Sequence, residues 1–223
     1  MMLRMPRSGK FAPISKAVAR RQGAVRTPSA EVERSVIDAA ERLLVTEGPG
    51  ALTVRRIASE AGVAPMSVYN HLGGKDGVLD ALLERGFDAL HEAISDLGTD
   101  DPYEDLAESG RRYRAFAREQ PQRYLLMFER AVPDYEPSAM TLGHAFATFK
   151  QLEMLVRRAM DAGVIVDGDA GEVAQRLWSS CHGLASLELH GFAFCEDLPG
   201  HQEEAAATML RGLTVPDPGE PTA

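Results

Sequence analysis

The chain has 223 residues, 44% of them hydrophobic and 26% charged, with a formal net charge of −9. That is enough apolar material for one large core or two small ones, while no apolar run approaches the ~20 residues of a membrane-spanning helix and the basic N-terminus lacks the apolar segment of a secretory signal. The two cysteines, Cys181 and Cys195, form no disulfide framework, so a reducing cytoplasm is the expected compartment. Residues 1–28 carry seven basic side chains and no acidic one, with Pro6, Gly9, Pro13 and Gly23 interrupting any periodicity, and read as a disordered basic arm. A helix is expected from Pro28 or Ser29, with Val32, Val36, Ala39, Ala40, Leu43 and Leu44 on one stripe and Gly48, Pro49 and Gly50 ending it. Thr53 reads as the N-cap of a helix from Val54 to Glu60, whose apolar face is Val54, Ile57, Ala58 and Ala61. Gly62 follows as a residue that tolerates positive φ. A short helix from Ala64 to Leu72 buries Val63, Val68 and Leu72 and leaves Pro65, Met66, Ser67, Tyr69, Asn70 and His71 mostly outward.

After the Gly73–Gly74 break, a long helix is expected from Lys75 to about Leu97, lined by Val78, Leu79, Leu82, Leu83, Phe87, Leu90 and Ile94. Further helices read as Tyr103–Glu119, Pro121–Ala131, Ser138–Ala162, Gly171–His190 and Gln202–Leu213, each bounded by Pro, Gly or Asp, with a frayed tail from 215 to 223. No strand alternation and no internal repeat is visible. The reading is therefore all-α, with an arm over 1–28, a three-helix unit over 29–76 and a helical body over 77–214. Residues 29–75 hold five basic and six acidic side chains, so the first 75 residues carry +6 and the remainder −15 of the net −9. A basic front and an acidic back suit a DNA module joined to a body that DNA does not touch. The arm itself either meets phosphates or is a solvated tail.

The stretch Leu52–Leu83 resembles the helix-turn-helix of the tetracycline-repressor (TetR) family of bacterial transcription regulators. Thr53, Ile57, Ala58, Ala61, Gly62, Val63, Ser67, Tyr69, His71, Lys75 and Leu79 carry the likeness. The resemblance implies a DNA-contacting set of Thr53, Arg55, Pro65, Met66, Ser67, Tyr69, Asn70, His71 and Lys75. Arg55 is placed to read guanine through its fork, the alternative being a phosphate contact or a poorly spaced ion pair with Glu60. Met66 suits a thymine methyl, Ser67 a base or phosphate, and Asn70 an adenine. Pro65 shapes the helix start, and Tyr69, His71 and Lys75 match phosphate positions, with a partly buried strut as the other reading of Tyr69. The apolar Ala64-Pro65-Met66 run departs from the family pattern and leaves the operator open.

The segment WSSCHG, with Trp178 ahead of His182 and Gly183, is similar to the C-terminal domain of a Trp/His-Gly subgroup of that family. This implies a homodimer through about 171–190 and 202–213, against a plain core role for Trp178 and His182. It also implies a near-palindromic double-stranded operator and a hydrophobic small-molecule effector that releases a repressor. The middle helices hold an aromatic and methionine collection suited to an adaptable pocket, with Phe116, Phe128, Phe146, Phe149 and Trp178 as candidate pocket residues and His144 or His182 as a polar anchor. No cofactor is expected. A metal-responsive regulator using Cys181, His182 and His190 is the alternative, although the spacing matches no closed zinc set. No phosphate-binding glycine loop, HExxH or GxSxG motif points to an enzyme.

Overall fold

The computed structural model describes residues 29–215. The expected basic arm over 1–28 and the tail beyond Val215 lie outside the described residues. Nine α-helices follow one another: α1 (Ser29–Glu47), α2 (Val54–Ala61), α3 (Pro65–Leu72), α4 (Lys75–Ala93), α5 (Pro102–Glu119), α6 (Pro121–Phe128), α7 (Ala139–Asp161), α8 (Ala170–Leu189) and α9 (Leu198–Arg211). The expectation of an all-α chain holds among these residues, where β pairing is limited to an isolated bridge between Ile165 and Thr214.

The first three helices form because their ends are marked and one face of each is apolar. Val36, Ala39, Ala40, Leu43 and Leu44 of α1 are buried. Thr53 caps α2 by accepting the Arg56 amide at 3.3 Å. Gly62 then turns the chain with φ 68° and Gly73 closes α3 with φ 72°, a conformation in which a Cβ is strained. Ile57 and Ala58 of α2 and Val68 of α3 meet the α1 stripe, and Val78, Leu79, Leu82 and Leu83 of α4 complete the same core. Gly77 makes that packing possible: a Cβ there would lie 1.6 Å from the Leu72 carbonyl oxygen.

This first core does not end at the three-helix unit. Leu126 and Val132, from α6 and the segment after it, belong to it as well, and the division expected at 76/77 falls in the first turn of a helix that continues to Ala93. Farther along α4, Leu90 and Ile94 pack with Tyr113, Phe116 and Tyr124 in a second cluster. A third, built on Val156, Ala159, Val173 and Ala174, holds α5, α7, α8 and α9 together.

Charged groups fasten the joint between the two parts. Arg85 of α4 pairs with Asp38 at 2.7 Å and Glu41 at 3.1 Å on α1, and Arg123 of α6 pairs with Glu41 as well. Asp80 of α4 accepts from the Tyr135 hydroxyl at 2.5 Å, the Ser138 amide at 3.0 Å and the Thr141 hydroxyl at 2.9 Å. Burial raises the Asp80 pKa, but these hydrogen bonds outweigh it and hold the carboxyl below its ordinary range.

Three helix bounds differ from the sequence reading. Helix α4 stops at Ala93, before Leu97, because Asp96 turns the chain with φ 55° while Gln151 and Arg112 donate to the carbonyls of Ile94 and Ser95, each at 2.8 Å. Helix α6 stops at Phe128, before Ala131, and Arg130 follows with φ 46°. Helix α9 begins at Leu198, ahead of Gln202, because Asp197 caps it by accepting the Gly200 amide at 3.1 Å and Pro199 sits in the first turn, where no hydrogen bond is lost.

Candidate DNA-facing surface and internal cavity

The residues expected to meet DNA lie on α2, α3 and the start of α4. Pro65, Met66, Tyr69 and Asn70 are exposed on α3, Met66 at 64% and Tyr69 at 54%. Ser67, His71 and Lys75 are half-exposed, and Thr53 and Arg55 are exposed on α2. Two of these side chains have structural partners. Thr53 is the α2 cap, and His71 Nδ1 forms a hydrogen bond with Ser29 Oγ at 2.9 Å, which ties the end of α3 to the start of α1. The Tyr69 ring lies over Gly74, where a Cβ would come within 3.0 Å of it.

Neighbouring charges sort the arginines. Arg56 pairs with Glu47, and Arg42 holds Glu60 at 3.0 Å, so Glu60 is not the partner of Arg55. Arg55 has no ion-pair partner among the described residues and stands exposed on α2. No side chain caps α4 at Gly74, so the amides of its first turn, next to Lys75, can receive an anion.

In the body, α4, α5, α7, α8 and α9 surround a partly open cavity of about 250 Å³, with Phe128 at the end of α6 on one side. Of the candidate pocket residues, Phe128, Phe149 and Trp178 line it. Phe146 does not: it is 61% exposed, with the Lys150 ammonium 6.0 Å from its ring centroid. The lining stripe of α7 is Ala145, Thr148, Phe149 and Leu152, and Phe146 stands about 100° away from Ala145 on the helical wheel. Nor does Phe116, which is buried one turn beyond the lining residues Leu106, Ser109, Gly110 and Tyr113 and packs against the second core. The stretch Phe87, Leu90 and Ile94 of α4 also lines the cavity. Sequence reading assigned these to the core face of α4, and periodicity alone does not separate a core from a cavity wall.

A polar chain runs behind the aromatic wall. Trp178 Nε1 donates to the Tyr113 hydroxyl at 3.3 Å, which lies 3.3 Å from the Tyr124 hydroxyl and 3.1 Å from His182 Nδ1. The Tyr124 hydroxyl and His182 Nδ1 share a hydrogen bond of 2.6 Å. Burial lowers the pKa of His182, against an opposing pull from Glu129, and pushes that of Tyr124 up to about 12, so the phenols keep their protons and the imidazole is held neutral. His182 therefore serves the aromatic wall from behind and does not line the cavity. His144, the other suggested anchor, turns to α4 and donates to Asp88 at 2.7 Å.

The metal alternative finds no support in the geometry. His182 uses Nδ1 on the tyrosines, and His190 Nδ1 donates to the Ser186 carbonyl at 2.8 Å. Cys181 lies on the cavity wall, where burial pushes its thiol pKa up. No group of three or more His, Cys, Asp or Glu among the described residues could hold an ion.

Next to the cavity, a depression of about 380 Å³ opens between α5, α8 and α9. It shares Ala107, Gly110, Cys181, Leu184, Ala206 and Leu210 with the cavity wall and has Glu104, Arg111, Arg114, Gln202 and Glu203 farther out. Glu188 accepts two hydrogen bonds from Arg114, each at 2.8 Å, and one from Gln202 at 2.9 Å, and it pairs with Arg118 at 3.2 Å. One carboxylate thus joins α5, α8 and α9 beside this mouth. No helix among the described residues is long and apolar enough to cross a membrane.

Comparison with known proteins places both parts. Residues 36–82 match the family described as bacterial regulatory proteins, tetR family, and residues 106–213 match the tetracyclin repressor-like C-terminal domain. An HTH-type transcriptional regulator of Mycobacterium tuberculosis is 28% identical over 130 residues, 56% of this chain and 56% of its own length. The HTH-type transcriptional repressor DrrR1 of Streptomyces coeruleorubidus is 29% identical over 142 residues, 63% of this chain and 51% of its own. The chain therefore spans about half the length of these curated relatives. Among solved structures, a protein with unknown function from Rhodococcus sp. RHA1 superposes with TM-score 0.74 at 25% identity, covering 87% of this chain and 100% of that one. The TetR family regulator PfmR from Thermus thermophilus shares the fold, with TM-score 0.60 at 19% identity over 81% of this chain and 99% of its own.

Proposed function

The chain belongs to the TetR family of bacterial transcriptional regulators, and from that premise we propose that it is a sequence-specific DNA-binding repressor released from its operator by a small apolar molecule held in the cavity of its body. The observation that carries this reading is the path of α4. One helix begins at Lys75, directly after α3, contributes Val78 and Leu79 to the core shared with it, and ends with Phe87 and Leu90 on the cavity wall, Ile94 following just past its end.

On this reading residues 29–76 bind DNA and residues 77–214 receive the effector and dimerise. The arm over 1–28 adds phosphate contacts, and the protein works in the cytoplasm. Arg55, Met66, Ser67 and Asn70 read bases, while Thr53, Tyr69, His71 and Lys75 hold phosphates and Pro65 shapes the start of α3. A two-fold dimer through about 171–190 and 202–213 presents two α3 helices to successive major grooves of a near-palindromic site. A molecule that fits the cavity better when α4 is displaced draws the population towards that state. Because Gly77 packs Leu72 directly on α4, α3 moves with it and half-site spacing changes.

The test is selection of bound fragments from a random DNA library, followed by affinity against salt. A near-palindromic motif with steep salt dependence is expected. Arg55→Ala is expected to cost about 1–3 kcal/mol of operator affinity and to relax one position of the motif. Failure to enrich any sequence would sink the reading.

A further inference from the structure

The cavity wall carries no Asp, Glu, Lys, Arg or His. Its polar atoms are few, and most are already engaged. Trp178 Nε1 and the Tyr113 hydroxyl bond to each other, and Thr148 Oγ1 donates to the carbonyls of Phe87 and His144 at 3.2 and 3.1 Å. Ser109 and Ser180 are different: both line the cavity without a hydrogen-bond partner for the hydroxyl among the described residues, and Ser109, on α5 and 4% exposed, is the deeper of the two. Facing the cavity, the Ser109 hydroxyl is free to pair with a polar atom of whatever fills it.

At the mouth both arginines are already held, and the carboxylate of Glu203 stands exposed at the rim. Arg114 is held by Glu188 through two hydrogen bonds, and Arg111 pairs with Glu108 at 2.7 Å and with Glu104. An anionic head would have to displace a carboxylate from one of these arginines, and a cationic one would have to leave Glu203 behind at the rim to enter a cavity wall without a counter-charge. We infer that the cavity takes an uncharged, mostly apolar molecule with one hydrogen-bonding oxygen set against Ser109. This rests on the reading of the cavity as the effector site. Benzene fills a cavity of ~150 Å³, so about 250 Å³ corresponds to a molecule of roughly ten non-hydrogen atoms.

Trp178 is the only tryptophan in the chain and lines the cavity, so its fluorescence reports occupancy. Four probes of one size separate the possibilities: pentylbenzene, butyrophenone, phenylbutyrate and phenylbutylamine, each titrated into the full-length protein and into Ser109→Ala. Butyrophenone is expected to bind the wild type at least about tenfold more tightly than either charged probe, and to lose about tenfold in Ser109→Ala. Pentylbenzene, which has no oxygen, is expected to bind both proteins alike and so serves as the control for folding. The inference is overturned if phenylbutyrate or phenylbutylamine binds as tightly as the ketone, if ketone affinity ignores the substitution, or if no probe changes the Trp178 signal. Operator affinity is followed in the same titrations. A ketone that binds with the expected preference yet leaves operator affinity unchanged would support the ligand class and sink the regulatory reading instead.

Discussion

The three-helix unit and the body are built from the same apolar residue types, but they fill their space differently. In the first, Val36, Ile57, Val68, Val78 and Leu79 are all fully buried and pack together. In the second, larger side chains such as Phe128, Phe149 and Trp178 surround a space of about 250 Å³. A packed interior transmits displacement as a block, whereas a cavity ringed by aromatic side chains accepts a change of contents. The two kinds of interior share α4, and the acidic residues Asp80 and Asp88 fix that helix to the start of α7.

The sharpest way to break the first interior is Gly77→Ala. With a Cβ 1.6 Å from the Leu72 carbonyl, α3 and α4 must separate, and a loss of more than ~3 kcal/mol is expected, read as a fall in the denaturant midpoint. If Gly77→Ala melts like the wild type, the claim that α3 rides on α4 is wrong. Phe116→Ala, in the filled core beyond the cavity, is expected to cost about 3–4 kcal/mol by the same measure. Asp80→Asn attacks the joint itself. It weakens three hydrogen bonds at once, with an expected cost of about 2 kcal/mol and a smaller effect of any effector on operator affinity.

A pH titration tests the polar chain behind the aromatic wall. Burial sets the His182 pKa in the folded state below its ordinary 6.5. The unfolded chain therefore binds the extra proton first, and the stability contributed by neutral His182 is complete above 6.5 and declines as pH falls through the folded-state value. His182→Gln is expected to flatten that decline between pH 7 and 5. Asp80, with its lowered pKa, keeps its contribution until more acid conditions, so the two effects occupy separate windows. The smallest effect is expected for Phe146→Ala, within about 0.5 kcal/mol, because that ring is exposed.

Most helices were legible because their ends carry local chemistry. Thr53, Gly62 and Gly73 each do what their residue type suggests, and the apolar stripes of α1 and α4 lie inward as their spacing requires. The start of α9 was not legible, because Pro199 and Gly200 look like a break unless Asp197 is known to cap them. The cavity was only partly legible. Aromatic content pointed to the right helices, but Phe146 and Phe149 differ by less than one turn, and the exact tilt of α7 decides which faces inward. Ser109 gave no signal at all, since an unpaired hydroxyl is a property of the assembled wall. The Asp80 contacts were hidden for a similar reason. Their partners Tyr135, Ser138 and Thr141 lie more than fifty positions away, although Asp80, Glu84 and Asp88 at intervals of four marked a face of α4 with something to hold.

Glu188 bears on time. The depression beside the cavity opens between helices that this one carboxylate joins through Arg114, Arg118 and Gln202. For an effector that passes this way, Glu188→Gln is expected to loosen these contacts and to speed both entry and exit, read as faster binding and release at unchanged fit inside.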